Sequence, residues 1–363
     1  MLSTSFFPLT FVCGKSILAF NMMRRMKNMS LAESLITMLS FCALLQIPLG
    51  VLAACPSDSL MRVEADRFLA NLPKGLQHQQ TLAVRRAIGG ECGDLEAVRH
   101  SRNAVAPVSD NVSVRMLSPT LRIYEPKGCT GKKLPLLVYL HGGGWTFGSL
   151  NSCARYCDAM VAEGGMKVMA VDYRLAPEHP FPAGLDDCVA ALDFVFAHAE
   201  DLGVDVGRIS IGGDSSGGNL ALATSLSEGC RGRVRSLVLF YPVTKAFCDD
   251  SESWNSYASG FGLDAELMHA FNDAYCAHSD PRGKRISIGL CDDTTLAMLP
   301  PTLLVAAGRD ILCCQGKDLA VRLPHVVTRV EFKDAVHLFI TVPGQETAFW
   351  RSVRLSHAFL VGH

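Results

Sequence analysis

One stretch restricts the folds open to this chain more than any other: Ile209-Ser-Ile-Gly-Gly-Asp-Ser-Ser-Gly-Gly-Asn-Leu220. A short β-branched run stops at glycines, a serine stands between Gly213 and Gly217, and helix formers follow from Asn219. The pattern reads as strand, sharp turn, helix. Gly-x-Ser-x-Gly in that setting is a nucleophile elbow, in which small flanking residues let the backbone bend tightly enough to present a serine hydroxyl above the sheet edge. Ser215 is therefore the candidate nucleophile. A glycine-rich turn without chemistry is the alternative for the pentapeptide alone, so the reading depends on what else the chain carries.

The surroundings supply a frame for such a turn. Residues 112–117 and 121–124 have strand character around a Ser-Pro turn and predict an antiparallel hairpin that starts a sheet. Residues 136–140 form a continuous apolar run, as expected of a central strand buried on both faces. A helix over about 153–163, a strand over 167–171, a helix over 184–198 and the elbow strand follow. Strand and helix alternate, which predicts an α/β fold with a mainly parallel sheet and helices on both faces. The 363 residues, 49% of them hydrophobic, suffice for one catalytic domain with insertions.

Residues 1–55 read as something other than fold. Arg24, Arg25 and Lys27 precede a nearly uncharged apolar run from Leu35, which ends in Leu-Ala-Ala-Cys at Cys55. That is the layout of an export signal, and its last four residues resemble a lipobox, so the expectation is an exported, membrane-attached lipoprotein or periplasmic protein. An uncleaved membrane anchor and a cytoplasmic protein with a misread start are the alternatives. With 34 Lys and Arg against 35 Asp and Glu, no overall field favours nucleic acid. The 14 cysteines include no Cys-x-x-Cys pair, which argues against a structural zinc site.

A second piece of chemistry follows the run 136–140 directly, in His141-Gly-Gly-Gly-Trp145. Ester hydrolysis builds negative charge on the former carbonyl oxygen, and backbone N–H groups already aimed at that position stabilise it, at about 3 kcal/mol per donor. Such a glycine loop is the known oxyanion-hole partner of Gly-x-Ser-x-Gly. The expected donors are the amides of Gly143, Gly144 and Ser216, with His141 holding the loop rather than carrying a proton.

Together with Asp172-Tyr-Arg-Leu-Ala-Pro-Glu-His-Pro-Phe-Pro-Ala183 and Gly213-Asp-Ser-Ser-Gly-Gly-Asn219, this segment resembles the hormone-sensitive-lipase family of α/β-hydrolases, which includes bacterial acetyl esterases. The similarity runs from about Leu121 to Leu338. It implies an α/β-hydrolase fold, a serine carboxylesterase acting on small-molecule esters, a helical cap, and neither cofactor nor metal. Asp172, Arg174 and Glu178 are expected to fix a loop through ion pairs rather than do chemistry.

A serine hydroxyl needs a base to take its proton and an acid to orient that base, and in this fold the chain order is Ser, Asp or Glu, His. Asp310 follows the apolar run 303–306, and His337 follows the next strand at 330–332; both match the family's acid and base positions. Asp318 within a helix, His325 before a strand and His357 in the C-terminal helix are weaker choices. Two departures bear on pocket shape. Ile311-Leu-Cys-Cys314 replaces the usual proline and charged pair after the acid, and Leu338 replaces the usual glycine after the histidine.

The cap is expected in two pieces, helices within 56–106 and an insertion at about 244–299, both belonging with a catalytic domain over 107–363. Of the insertion's aromatics Trp254, Tyr257, Phe261 and Phe271, some should pack and one or two should face substrate. A closed two-part cap favours short acyl esters, and Ile311, Leu312 and Leu338 act in the same direction if they face the pocket. An amidase or formamidase on the same residues, a non-catalytic ligand receptor of the same fold, and a lipase acting at membrane interfaces, for which no distinct apolar lid helix is visible, are the competing readings. A homodimer and attachment to a membrane through the N-terminal segment are open partner expectations.

Overall fold

The computed structural model describes residues 57–129 and 131–362. The expectations for residues 1–55, Cys55 included, lie outside the described residues. Among those described, no helix is long and apolar enough to cross a membrane.

Among the described residues three helices come first: α1 (Ser57–Asn71), α2 (Leu76–Ile88) and α3 (Gly93–Ser101). The helical part ends at Ser101, five residues short of the expected boundary, and residues 103–109 have no regular structure. The alternating pattern then runs β1 (Val112–Ser118), β2 (Leu121–Pro126), β3 (Leu134–Leu140), α4 (Ala154–Ala162), β4 (Lys167–Val171), α5 (Ala183–Ala197), β5 (Val204–Asp214), α6 (Ser216–Leu226) and β6 (Leu237–Phe240). After α7 (Glu252–Ser256), α8 (Ala265–Cys276) and α9 (Asp293–Leu296), the chain returns through β7 (Thr302–Arg309), α10 (Cys313–Arg322), β8 (Val327–Val336) and α11 (Glu346–Val361).

The strands form one eight-stranded sheet in the order β1-β2-β4-β3-β5-β6-β7-β8. β1 and β2 pair antiparallel, as do β2 and β4, and every later pairing is parallel. Strand alternation divides the interior into two cores. Leu136, Val138 and Leu140 of β3 face one core with Leu185, Leu192 and Val195 of α5. Leu137 and Tyr139 face the other, with Tyr156 and Met160 of α4 and Phe349 and Val353 of α11. A strand apolar on both sides is thus covered on both sides, and each fully buried large side chain contributes about 1.5–3 kcal/mol.

The register sets where the strands stop. Leu140 lies level with Gly213, and Asp214 with Phe240, so the glycine loop after β3 emerges beside the turn after β5. Arg309 lies level with Val336, so Asp310 and His337 leave adjacent strands side by side.

Helices from two separate stretches of the chain, one before the sheet and one between β6 and β7, pack together above these strand ends. Val84 and Ala87 of α2, Leu95 of α3, and Leu267, Met268 and Phe271 of α8 share one core cluster. Gln77 Nε2 donates to the Gly262 carbonyl at 2.8 Å, and Arg85 pairs with Asp273 at 3.1 Å. Exposed pairs of this kind contribute little, so the apolar contact does most of the holding. Ala65 and Phe68 of α1 pack on Val336 next to His337.

Candidate active site

The elbow is built by close backbone approach. A Cβ on Gly217 would lie 2.0 Å from the Leu140 carbonyl oxygen, and one on Gly213 would lie 2.5 Å from the Gly217 carbonyl. Only glycine lets the turn settle against the end of β3. Ser215 adopts φ 53° and ψ −118°, a conformation that non-glycine residues rarely hold and that surrounding structure must enforce. Its amide donates to the Phe240 carbonyl at 2.9 Å. α6 starts at Ser216, three residues before the run of helix formers, because Ser216, Gly217 and Gly218 are recruited into its first turn. The serine is also less open than a bare elbow suggests: it is 6% exposed, because the helices above the strand ends cover it.

His337 Nε2 stands 3.1 Å from Ser215 Oγ, and His337 Nδ1 stands 2.7 Å from Asp310 Oδ2. With the imidazole neutral and its proton on Nδ1, that N–H donates to the carboxylate and the Nε2 lone pair faces the hydroxyl. Asp310 is held in turn, its Oδ1 accepting from the Leu312 amide at 3.1 Å. Gln345, 2% exposed, fixes the histidine loop: its Oε1 accepts from the Val336 amide at 3.0 Å and its Nε2 donates to the His337 carbonyl at 3.1 Å. The ring of Tyr241 lies 4.3 Å from the imidazole. The competing residues lie elsewhere. Asp318 pairs with Lys245, His357 is bonded to the Gly164 carbonyl, and His325 precedes β8.

Beside the serine, Gly143 and Gly144 have φ of 119° and 61°, both in the region that favours glycine. A Cβ on Gly144 would meet the ring of Phe271 at 2.1 Å, and one on Gly143 would meet the Phe147 carbonyl oxygen at 2.6 Å. Among the described residues, the amides of Gly143, Gly144 and Ser216 donate to no protein group. They are donors left open near Ser215. The loop's other groups are occupied: the Gly142 amide donates to Asp214 Oδ1 at 3.0 Å, and the Gly143 carbonyl accepts from Phe147 N–H at 2.8 Å.

His141 is buried, stacked on Tyr173 with ring centroids 4.4 Å apart, and the Tyr173 hydroxyl donates to the His141 carbonyl at 2.6 Å. Burial pushes this imidazole below its ordinary pKa, which suits a neutral structural ring. Two of the ion pairs expected of the following segment are present, Arg174 with Asp187 at 2.8 Å and Glu178 with Arg99 at 2.6 Å, whereas Asp172 lies 3.9 Å from the neutral ring of His141. Arg99 of α3 also donates to the carbonyls of Thr146 and Ala176, at 2.8 and 3.0 Å, tying the glycine loop to that segment.

A cavity of about 40 Å³ lies over the serine. Phe271 and Leu338 line it; Trp254, Tyr257 and Phe261 do not. Ile311 and Leu312 do not reach it either, since both are fully buried in the core beneath, which removes them from any argument about substrate size. Leu338 carries φ 74°, the left-handed conformation in which a glycine would be unstrained. Three contributors carry no signal in the sequence pattern. Asp214, between Gly213 and the serine, accepts at 3.0 Å from both Tyr139 Oη and the Gly142 amide, and burial raises its pKa to about 6. Gln80 and Arg102 reach the cavity from α2 and from the residue after α3.

A family described as alpha/beta hydrolase fold matches residues 137–341. The carboxylic ester hydrolase LipN of Mycobacterium tuberculosis is 35% identical over 221 residues, which is 58% of this chain and 57% of that protein. An ethyl acetate hydrolase of Pseudomonas putida is 35% identical over 202 residues, 54% of this chain and 62% of its own length. The match thus spans less than two thirds of either relative. Among solved structures, a thermostable esterase from Pseudomonas putida superposes with a TM-score of 0.71 at 25% identity, covering 83% of this chain and 96% of that one. With the parallel sheet, the elbow after β5 and the matched residues 137–341 in agreement, the chain belongs to the α/β-hydrolase family, in its hormone-sensitive-lipase-like branch.

Proposed function

We propose that this protein is a serine carboxylesterase that hydrolyses short-chain acyl esters through an acyl-enzyme. The observation that carries the reading is the unbroken run of contacts from Asp310 Oδ2 to His337 Nδ1 at 2.7 Å and from His337 Nε2 to Ser215 Oγ at 3.1 Å. His337 takes the hydroxyl proton as Ser215 Oγ attacks the ester carbonyl, and Asp310 stabilises the imidazolium that forms. The amides of Gly143, Gly144 and Ser216 bind the oxyanion. His337 then gives its proton to the departing alkoxide and the acyl-enzyme remains. Water repeats the sequence: His337 takes its proton, the hydroxide adds to the acyl carbon, and collapse releases the acid while the proton returns to Ser215.

Short acyl chains are favoured by the small cavity, of about 40 Å³, between α2, α8 and the histidine loop. We read residues 57–101 and 244–299 as the two halves of a cap over it. Each methylene that fits gains about 0.8 kcal/mol, roughly fourfold in kcat/KM, and one that does not fit costs packing strain. On p-nitrophenyl esters of graded length, kcat/KM should peak between about two and six acyl carbons and fall beyond. A profile still rising at about ten carbons would refute the short-chain assignment, and a matched amide cleaved as fast as the ester would refute the esterase one.

For residues 1–55 we propose an export leader with lipidation at Cys55, on the strength of the basic cluster and the apolar run before Leu-Ala-Ala-Cys. Cys55→Ser should leave an unprocessed precursor; an unmodified, uncleaved N-terminus in the wild type by mass spectrometry would end this proposal.

A further inference from the structure

Two polar side chains line the same cavity as Ser215 without a hydrogen-bond or ion-pair partner among the described residues. Arg102, directly after α3, and Gln80, in α2, both line it. Gln80 is 5% exposed and Arg102 is partly buried. Among the described residues, neither side chain forms a hydrogen bond or ion pair with another protein group. The neighbouring arginines are engaged: Arg85 with Asp273, Arg86 with Asp94, Arg99 with Glu178.

The Arg102 guanidinium lies 5.5 Å from the centroid of the Phe147 ring. The carboxylate that acts on it is Asp214, which is outside ion-pair distance and already accepts from Tyr139 and Gly142. Burial works against the cation and Asp214 only partly offsets that. A guanidinium stays charged in proteins, so it gains from a partner that enters with substrate. The apolar part of this wall is Phe147, Leu263, Leu267, Phe271 and Leu338; Gln77 and Ser152 are bonded within the protein, Thr341 adds a hydroxyl, and among the described residues Arg102 brings the one guanidinium that lines it.

We propose that the pocket selects esters carrying a second, anionic group, a carboxylate a few bonds from the scissile carbonyl, with Arg102 as its forked partner and Gln80 as a further donor. The planar fork matches a carboxylate with two parallel N–H···O bonds, and the small cavity leaves no room for a long spacer. This rests on the esterase reading and goes beyond it by naming the substrate class.

Two matched pairs test it. On the acyl side, p-nitrophenyl butyrate is compared with p-nitrophenyl hemisuccinate; on the alcohol side, propyl acetate is compared with β-acetoxypropionate. Arg102→Gln should lower kcat/KM on the anionic member of one pair about tenfold or more beyond its effect on the neutral member, and Arg102→Lys should fall between. The pair that responds identifies the side on which the carboxylate sits. In the wild type alone, succinate should compete with p-nitrophenyl butyrate, more weakly at high salt. Equal losses on both members of both pairs, or no competition by succinate, would overturn the proposal while hydrolysis of the neutral esters left the esterase reading intact. If the wild type cleaves none of the four esters faster than Ser215→Ala does, both readings fall together.

Discussion

Asp214 offers a quantitative test of how the glycine loop after β3 is held. Its carboxylate is 1% exposed, lies between the end of β5 and the glycine loop, and has a pKa raised to about 6 by burial, against an ordinary 3.8. Below pH 3.8 both the folded and the unfolded chain hold this proton. Between 3.8 and about 6 only the folded chain does, so stability falls as pH rises through this window; above about 6 both are ionised and the loss is complete. At about 1.36 kcal/mol per pH unit, the full change is of order 3 kcal/mol. Asp214→Asn keeps an acceptor for Tyr139 and the Gly142 amide but cannot ionise. Urea unfolding of both proteins from pH 4 to 8 isolates the effect, because every other group cancels in the difference. The asparagine variant should gain stability relative to wild type as pH rises, by about 2–3 kcal/mol between the ends. A difference that stays flat, or that runs the other way, would refute the claim that this carboxylate is held against its own ionisation.

Asp310→Asn should lower kcat by about 10²–10⁴-fold, since the imidazole loses its tautomer lock, whereas Asp318→Asn and Asp334→Asn, which lose only the surface pairs to Lys245 and Arg62, should stay within about twofold of wild type. Gly144→Ala places a methyl 2.1 Å from the Phe271 ring at φ 61°, and displacing this donor should cost about 10²–10³ in kcat. Adding Phe271→Ala should restore part of that loss; no restoration would mean that the backbone conformation, not the ring, sets the requirement. Leu338→Gly relieves the left-handed backbone at φ 74° and removes a wall of the cavity, so the ratio of octanoate to butyrate hydrolysis should rise.

The parts of the site that follow strands were legible in the sequence because apolar runs mark strands and turn residues mark where they end. Gly142–Gly144, Ser215, Asp310 and His337 all sit one to four residues past a strand, at positions that a parallel sheet gathers at one edge. Tertiary placement was not legible. Gln80, on a helix, and Arg102, just past one, lie more than 100 residues from the serine in sequence, and nothing in their local pattern points at the cavity. Ile311 and Leu312 showed the same limit from the other side: two bulky residues beside the acid turned inward to the core, a choice set by the packing of α10 rather than by their chemistry. Leu338 was visible as a departure from the family pattern, but its left-handed backbone is a consequence of the turn after β8.

The central claim is that Ser215 Oγ is the nucleophile activated by His337. An aryl phosphonate ester tests it directly, because attack on phosphorus expels the aryl alcohol and leaves the phosphonyl group on the nucleophile. Intact-mass measurement should show one added phosphonyl group per chain in the wild type, peptide mapping should place it on Ser215, and esterase activity should fall in proportion. Ser215→Ala should gain no mass and His337→Ala should be labelled far more slowly. Labelling that maps to another residue, or that proceeds undiminished in Ser215→Ala, would contradict the account.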